Sequence, residues 1–252
     1  MTQSKPSIQS TETCFAIIEQ IQSNGSAGIS ELARNVNLSK SAVYKHVQTL
    51  LRLGYLVRQG DDYYLSLRFL LLGRQAYDRL PLEVLKSVVT QLAETTGNTT
   101  HFVARENDHA VYALQITPDG DDSVERSEGK VAPIHATAGG KAIFAFLDAE
   151  EQDRIIEKTG LPTFTDKTIT DRSELKAELQ SVRDTRIVFD REEFVEGIQS
   201  VASPVLDSGG SPIGSVSVTG TVQYMSGKRL EEDVVGLVIS AAKSIEKEIR
   251  TA

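Results

Sequence analysis

Residues Ile29 to Gly54, ISELARNVNLSKSAVYKHVQTLLRLG, hold two amphipathic helical patterns joined by a very short turn. In the first, Ile29, Leu32, Ala33 and Val36 recur at i, i+3, i+4 and i+7, the spacing of one helical face, until Asn37 breaks it. Ser39 has the chemistry of an N-cap, and Val43, Val47, Leu50 and Leu51 repeat the same spacing until Gly54 supplies a stop. The pair reads as a helix-turn-helix. On the far side of the second helix, Ser41, Tyr44, Lys45 and Gln48 form a stripe of donors and a cation suited to base edges in a major groove. Arg34, Lys40 and Arg52 around it are placed to meet phosphates. A solvated face of an ordinary helical hairpin would give the same stripe. The flanking sequence tilts the balance, because Tyr55 to Arg58 and Tyr63 to Leu65 are β-rich runs around the turn cluster Gln59-Gly60-Asp61-Asp62, the pattern of a wing.

Working outward, Met1 to Ser10 is polar and expected to be disordered. A first helix from Thr11 to about Gly25 carries Cys14, Ile17, Ile18 and Ile21 on one face and completes a three-helix core. This gives a winged helix-turn-helix DNA-binding domain over residues 1–66. Leu67 to Tyr77, LRFLLLGRQAY, repeats helical spacing with more leucine than a surface helix needs. Residues 67–80 are therefore assigned as a linker helix whose apolar face packs on a second subunit, the alternative being that it packs on its own domain. A palindromic site favours the dimer, since it needs two recognition helices one helical turn apart.

The whole chain of 252 residues carries a net charge of −8 and is 40% hydrophobic and 25% charged, a globular composition in which two domains are the default. The charge is uneven. Residues 1–80 hold 9 Lys and Arg against 6 Asp and Glu, leaving 18 against 29 for residues 81–252, so +3 precedes −11. A local cationic patch on an acidic body still binds phosphate, in a salt-sensitive way. No apolar run approaches the roughly 18 to 20 residues needed to span a bilayer, and the first residues lack an apolar signal core, so a cytoplasmic protein with no membrane partner is expected. The single cysteine, Cys14, excludes an internal disulfide framework and a multi-cysteine zinc site, and reads as a small core residue.

Residues 81–252 alternate helical and strand patterns. Pro81 starts a helix to Gly97. Thr100 to Arg105 and Ala110 to Ile116 read as a hairpin, Pro118 to Gly129 as an acidic loop, and Ala138 to Leu147, Ala149 to Thr159 and Asp171 to Thr185 as helices. Strands follow at Ile187 to Phe189, Gln199 to Leu206 and Pro212 to Val222, and a helix from Ser226 to Ile249 closes the chain. An antiparallel sheet with helices around it is an α+β domain.

Three stretches of this second domain carry candidate chemistry. Ala132 to Ala142, APIHATAGGKA, sets two glycines at a helix start. Free N–H groups there favour a small carboxylate; Ala142 stands where a phosphate loop would have Ser or Thr, and a tight packing turn is the bland alternative. Phe189 to Val201, FDREEFVEGIQSV, crowds Asp190, Glu192, Glu193 and Glu196; with no histidine near in sequence, a solvated face outweighs acid–base catalysis. Ser215, Ser217 and Thr219 share one strand face, which either meets water or lines a polar pocket. His101, His109 and His135 have no metal-ligand spacing and read as core or surface residues. No catalytic residue, metal or cofactor is expected.

These residues together resemble the IclR family of transcription regulators. The similarity is carried by ISELA at 29–33, SKSAV at 39–43, GYL at 54–56, PIHATAGGKAIFAFL at 133–147, FDREEFVEGIQSVASPV at 189–205 and SVSVTG at 215–220, and it covers nearly the whole chain. It implies a winged helix, a linker helix and a GAF-like effector-binding domain, working as homodimers or dimers of dimers on double-stranded operator DNA. It further implies a small organic acid effector, its carboxylate on backbone N–H groups at Ala138 and Gly139, with Asp190, Ser200, Ser217 and Thr219 completing the pocket. Ser200 stands where many members have cysteine, and Tyr44-Lys45-His46 replaces a more usual His-Arg-Leu. A ligand-responsive regulator is thus the leading expectation, with an enzyme and a constitutive DNA binder with a structural C-terminal domain as competitors.

Overall fold

The computed structural model describes residues 7–118, 124–125 and 127–251. Residues 1–6 of the expected disordered N-terminus, and 119–123 and 126 of the expected acidic loop, lie outside the described residues. Contacts divide the chain into two units, at Leu80 and Pro81.

The first unit runs α1 (Gln9–Asn24), β1 (Ala27–Gly28), α2 (Ile29–Asn35), α3 (Lys40–Arg52), β2 (Leu56–Gln59), β3 (Asp62–Leu65) and α4 (Arg68–Tyr77). Helix α1 begins two residues before the sequence expectation, so Gln9 and Ser10 are helical rather than disordered. Its Ile17 and Ile21 are fully buried with Leu32, Val43 and Val47 of the next two helices. The turn between α2 and α3 works because Asn37 takes a positive φ of 52°, which asparagine tolerates, and because Ser39 Oγ accepts the Ala42 N–H at 3.3 Å. Strands β2 and β3 pair antiparallel with Gln59 opposite Asp62, around a turn in which Gly60 supplies the positive φ. Ala27 and Gly28 add a third strand on β3.

The second unit runs α5 (Leu82–Thr96), β4 (Thr99–Glu106), β5 (His109–Ile116), β6 (Val131–Ala132), α6 (Ala138–Phe144), α7 (Ala149–Thr159), α8 (Arg172–Thr185), β7 (Val188–Arg191), β8 (Ile198–Leu206), β9 (Pro212–Thr221) and α9 (Val234–Thr251). The six strands form one antiparallel sheet in the order β6-β5-β4-β9-β8-β7. A π-type turn at Arg229–Asp233 takes up the start of the expected last helix, so α9 begins eight residues later than Ser226.

Pairing register assigns the faces. Asp190, Ser200, Thr219 and Thr99 lie opposite one another across four strands, and Val188, Ala202, Ser217 and His101 form the next row of the same face. Val103, Val188 and Ala202 on that face pack with Ala138, Ala142, Ile143 and Phe144 of α6 in one buried cluster. The face is thus an apolar seam under α6 with polar rows at one end.

Candidate DNA-reading face and effector cavity

On α3, Val43, Val47 and Leu50 are buried while Ser41, Tyr44 and Lys45 are exposed and Gln48 is half-exposed, so one helix offers an anchored side and an open side. Lys40, Arg34 and Arg52 are also exposed at its edges. Ser41 Oγ lies 3.1 Å from Ser39 Oγ, joining the cap. Sequence reasoning missed two arginines. Arg58 on the wing turns back, donating to the Gly60 carbonyl at 2.8 Å and pairing with Asp61 at 3.3 Å. Arg68 donates to the Leu53 carbonyl at 2.7 Å and lies 4.9 Å over the Tyr55 ring, closing the C-terminal end of α3. Cys14 is corrected: it is only partly buried, its Sγ 3.3 Å from His46 Nδ1, on the wall of an apolar groove of ≈ 660 Å³ that Phe15, Ile18, Phe69 and Leu72 also line. Burial raises its thiol pKa.

In the second unit the glycine-containing stretch forms a packed seam. All seven residues of α6 are buried. A Cβ at Gly139 would stand 2.7 Å from Val103 Cγ2, and one at Gly140 would stand 2.7 Å from Ile134 Cα and 2.8 Å from the Pro133 carbonyl. Ser215 Oγ donates to the Gly139 carbonyl at 2.8 Å. The glycines therefore let helix and sheet approach closely, and Ala138 and Gly139 are not among the residues that line the cavity at Asp190.

The carboxylate-rich run is not a solvated face. Asp190 and Glu193 are buried, Glu192 is half-buried, and only Glu196 is exposed. Lys141 of α6, itself fully buried, donates to both oxygens of Glu193 at 2.6 and 2.9 Å and to Glu178 at 3.2 Å. Glu193 in turn donates its backbone N–H to Asp190 Oδ1 at 2.7 Å. Burial, and then the charge of Glu193, push the Asp190 carboxyl up to about 7, against the pull of backbone N–H groups and Lys141.

Asp190 faces a cavity of ≈ 320 Å³ together with Ser200, Thr219, His101, Tyr112 and Phe194. Three of the six expected effector residues thus meet on one wall. Ser217, 2% exposed, sits on the same sheet face one row inward. Ser200 Oγ and Thr219 Oγ1 are 2.9 Å apart, and Thr219 Oγ1 lies 3.5 Å from His101 Nδ1. His101, read from the sequence as a plain core or surface residue, is on the cavity wall, its ring 5.0 Å from that of Tyr112. Burial holds its imidazole down at about 4, the Gln115 side chain and the Glu128 charge opposing only in part. The Tyr112 phenol is pushed above its usual range by burial and by Asp190. Nothing in this set is an activated nucleophile: the arrangement can hold a small polar molecule and offers no covalent chemistry. His135 is buried elsewhere, its Nε2 donating to the Pro162 carbonyl at 3.0 Å, which places the proton on that nitrogen. Among the described residues no helix is long and apolar enough to cross a membrane.

A family model described as the IclR helix-turn-helix domain matches residues 12–60, and one described as the C-terminal region of bacterial IclR regulators matches residues 77–247. The transcriptional regulator KdgR of Escherichia coli K12 is 31% identical over 240 residues, covering 94% of this chain and 91% of that protein. Among solved structures, the IclR of Thermotoga maritima is 26% identical, covers 95% of this chain and 98% of that chain, and superposes with a TM-score of 0.78. The inducer-binding domain of an Acinetobacter PobR double mutant, in complex with 3-hydroxybenzoic acid, is 29% identical, covers 66% of this chain and 97% of that one, and has a TM-score of 0.61. Relatives of this kind are transcription regulators rather than enzymes. The chain belongs to the IclR family of bacterial transcriptional regulators, joining a helix-turn-helix DNA-binding domain to a C-terminal effector domain.

Proposed function

We propose that the chain binds double-stranded operator DNA through α3 and that a small organic acid in the cavity of the second unit sets the affinity. The observation that carries this reading is the cavity itself. Its ≈ 320 Å³ falls within the roughly 300–1,000 Å³ of small-molecule sites, and Asp190, Ser200, Thr219 and His101 converge on it. The complex of the PobR domain with 3-hydroxybenzoic acid supports a hydroxylated acid as the ligand class. On the DNA side, Ser41, Tyr44, Lys45 and Gln48 read base edges, while Arg34, Lys40 and Arg52 hold phosphates. Fluorescence anisotropy on the full chain, with DNA from upstream of its own coding region and a panel of small organic acids, tests the reading. An acid that shifts the DNA Kd supports it; DNA binding that no acid shifts favours a constitutive binder with a structural C-terminal unit.

The working unit in this reading is a homodimer, either alone or as a dimer of dimers. Helix α4 supports it: Leu70, Leu71 and Leu72 are 56, 68 and 46% exposed, beside the apolar groove of the same unit. Such a surface is self-complementary in a two-fold pair. Light scattering on Leu71→Glu combined with Leu72→Glu is expected to show monomers; a persisting dimer places the interface elsewhere.

A further inference from the structure

The geometry points to His101 as the residue that selects the effector, by meeting a neutral hydroxyl or carbonyl oxygen at the inner end of the cavity while the effector's carboxylate faces the mouth at Lys130. This rests on the cavity being the effector site.

His101 is 2% exposed, with the Gln115 side chain near its ring, and among the described residues no polar atom lies within hydrogen-bond distance of its buried Nε2. Its other nitrogen is turned to Thr219. A ring nitrogen that no protein group satisfies, on a residue lining the cavity, is a position that a ligand oxygen can fill. The rest of the inner wall is made of the Ser200 and Thr219 hydroxyls, the Tyr112 phenol and the Asp190 carboxyl. None of these offers a positive charge, and Asp190 repels an anion whenever it is ionised. His101 stays neutral near pH 7, so it adds no cation either. Lys141, the nearest buried cation to Asp190, is enclosed by Glu193 and Glu178. Among the described residues lining the cavity, Lys130 alone carries positive charge. Its side chain is 53% exposed and is held by Glu125 at 2.6 Å, a partner that a ligand carboxylate can replace. An anion is therefore favoured at the mouth and a neutral oxygen at the inner end, with Nε2 as the group that rewards it.

The test uses isothermal titration of the full chain with matched pairs that differ only in the inner oxygen: 3-hydroxybenzoate against benzoate, and pyruvate and lactate against propionate. In the wild type the oxygenated member of the binding pair is expected to bind about tenfold or more tighter. His101→Phe, which keeps an aromatic ring beside Tyr112, is expected to bind both members with the Kd that the wild type shows for the deoxy member. His101→Gln is expected to keep part of the preference, and Lys130→Met to weaken both members alike. Histidine ¹⁵N NMR on the wild type serves should the Phe variant melt early: the oxygenated ligand is expected to shift the His101 ring nitrogens and the deoxy ligand to leave them in place. Undiminished preference in His101→Phe, or unmoved His101 resonances at saturation, overturns the inference and leaves the effector reading standing. If no member of any pair binds the wild type, the effector reading falls, and this inference with it.

Discussion

Helices α3 and α6 open in the same way and end in opposite settings. Each begins on a hydroxyl cap, with Ser39 Oγ accepting from Ala42 N at 3.3 Å and Thr137 Oγ1 from Gly140 N at 3.1 Å, and each carries a lysine within two turns. In α3 only the anchored side is buried, and Lys40 and Lys45 stand in solvent. In α6 every residue is buried, and Lys141 spends its charge on Glu193 and Glu178. The local code makes a helix start in both, but only surroundings decide whether a cation is free to meet phosphate or is locked into the protein. An exposed lysine is open to a partner; a buried one is already paired.

The largest effect that separates the two helices is on stability. Lys141→Ala leaves Glu193 buried without its partner, and a loss of about 3–5 kcal/mol is expected by chemical denaturation. Lys45→Ala is expected to stay within about 0.5 kcal/mol of the wild type. Equal effects would erase the contrast.

A second test uses pH. The Asp190 carboxyl sits at about 7 against a usual 3.8, so the native state keeps a proton that the unfolded chain has already lost. The stability tied to this group is therefore fully present below about pH 4, falls as pH rises to about 7, and is flat above. Asp190→Asn removes that dependence, and its thermal midpoint is expected to gain on the wild type across this window. A constant difference between the two proteins would assign the carboxyl an ordinary pKa.

The third test is on DNA and sharpens the open side of α3. Gln48→Ala is expected to cost about 1–3 kcal/mol at particular base positions, whereas Lys40→Ala weakens all sequences alike and flattens the salt slope by about one. Equal loss on every sequence from both variants would remove Gln48 from base reading.

Much of this architecture was legible because its signals are local. Ser39 and Asp171 are caps whose oxygens do accept the N–H groups ahead of them, and Gly97 takes the positive φ that ends α5. The turn at Asp207 is held by its own carboxylate on the Gly209 and Ser211 N–H groups. What escaped depends on partners distant in the chain. Ala27-Gly28 is a strand only because β3 lies beside it, and the start of α9 yields to a π-type turn that no propensity marks. Asp190 and Glu193 look like solvated charge until Lys141, about fifty residues earlier, is folded onto them. His101 lies in an ordinary β-run, TTHFV, and gains its interest from its place on the cavity wall, which only the assembled sheet reveals. The close approach of α6 to the sheet at Gly139 and Gly140 also appears only once the atoms that a Cβ would strike are assembled.

The central claim is that the cavity controls operator affinity while the winged helix reads DNA on its own. Operator titrations with and without the acid that the panel identifies, on wild type, Asp190→Ala and Thr219→Ala, address it directly. All three proteins are expected to bind unliganded operator alike, and only the wild type to change its Kd on adding the acid, because the variants remove the coupling rather than the DNA-binding surface. A full ligand response in Asp190→Ala would contradict the account.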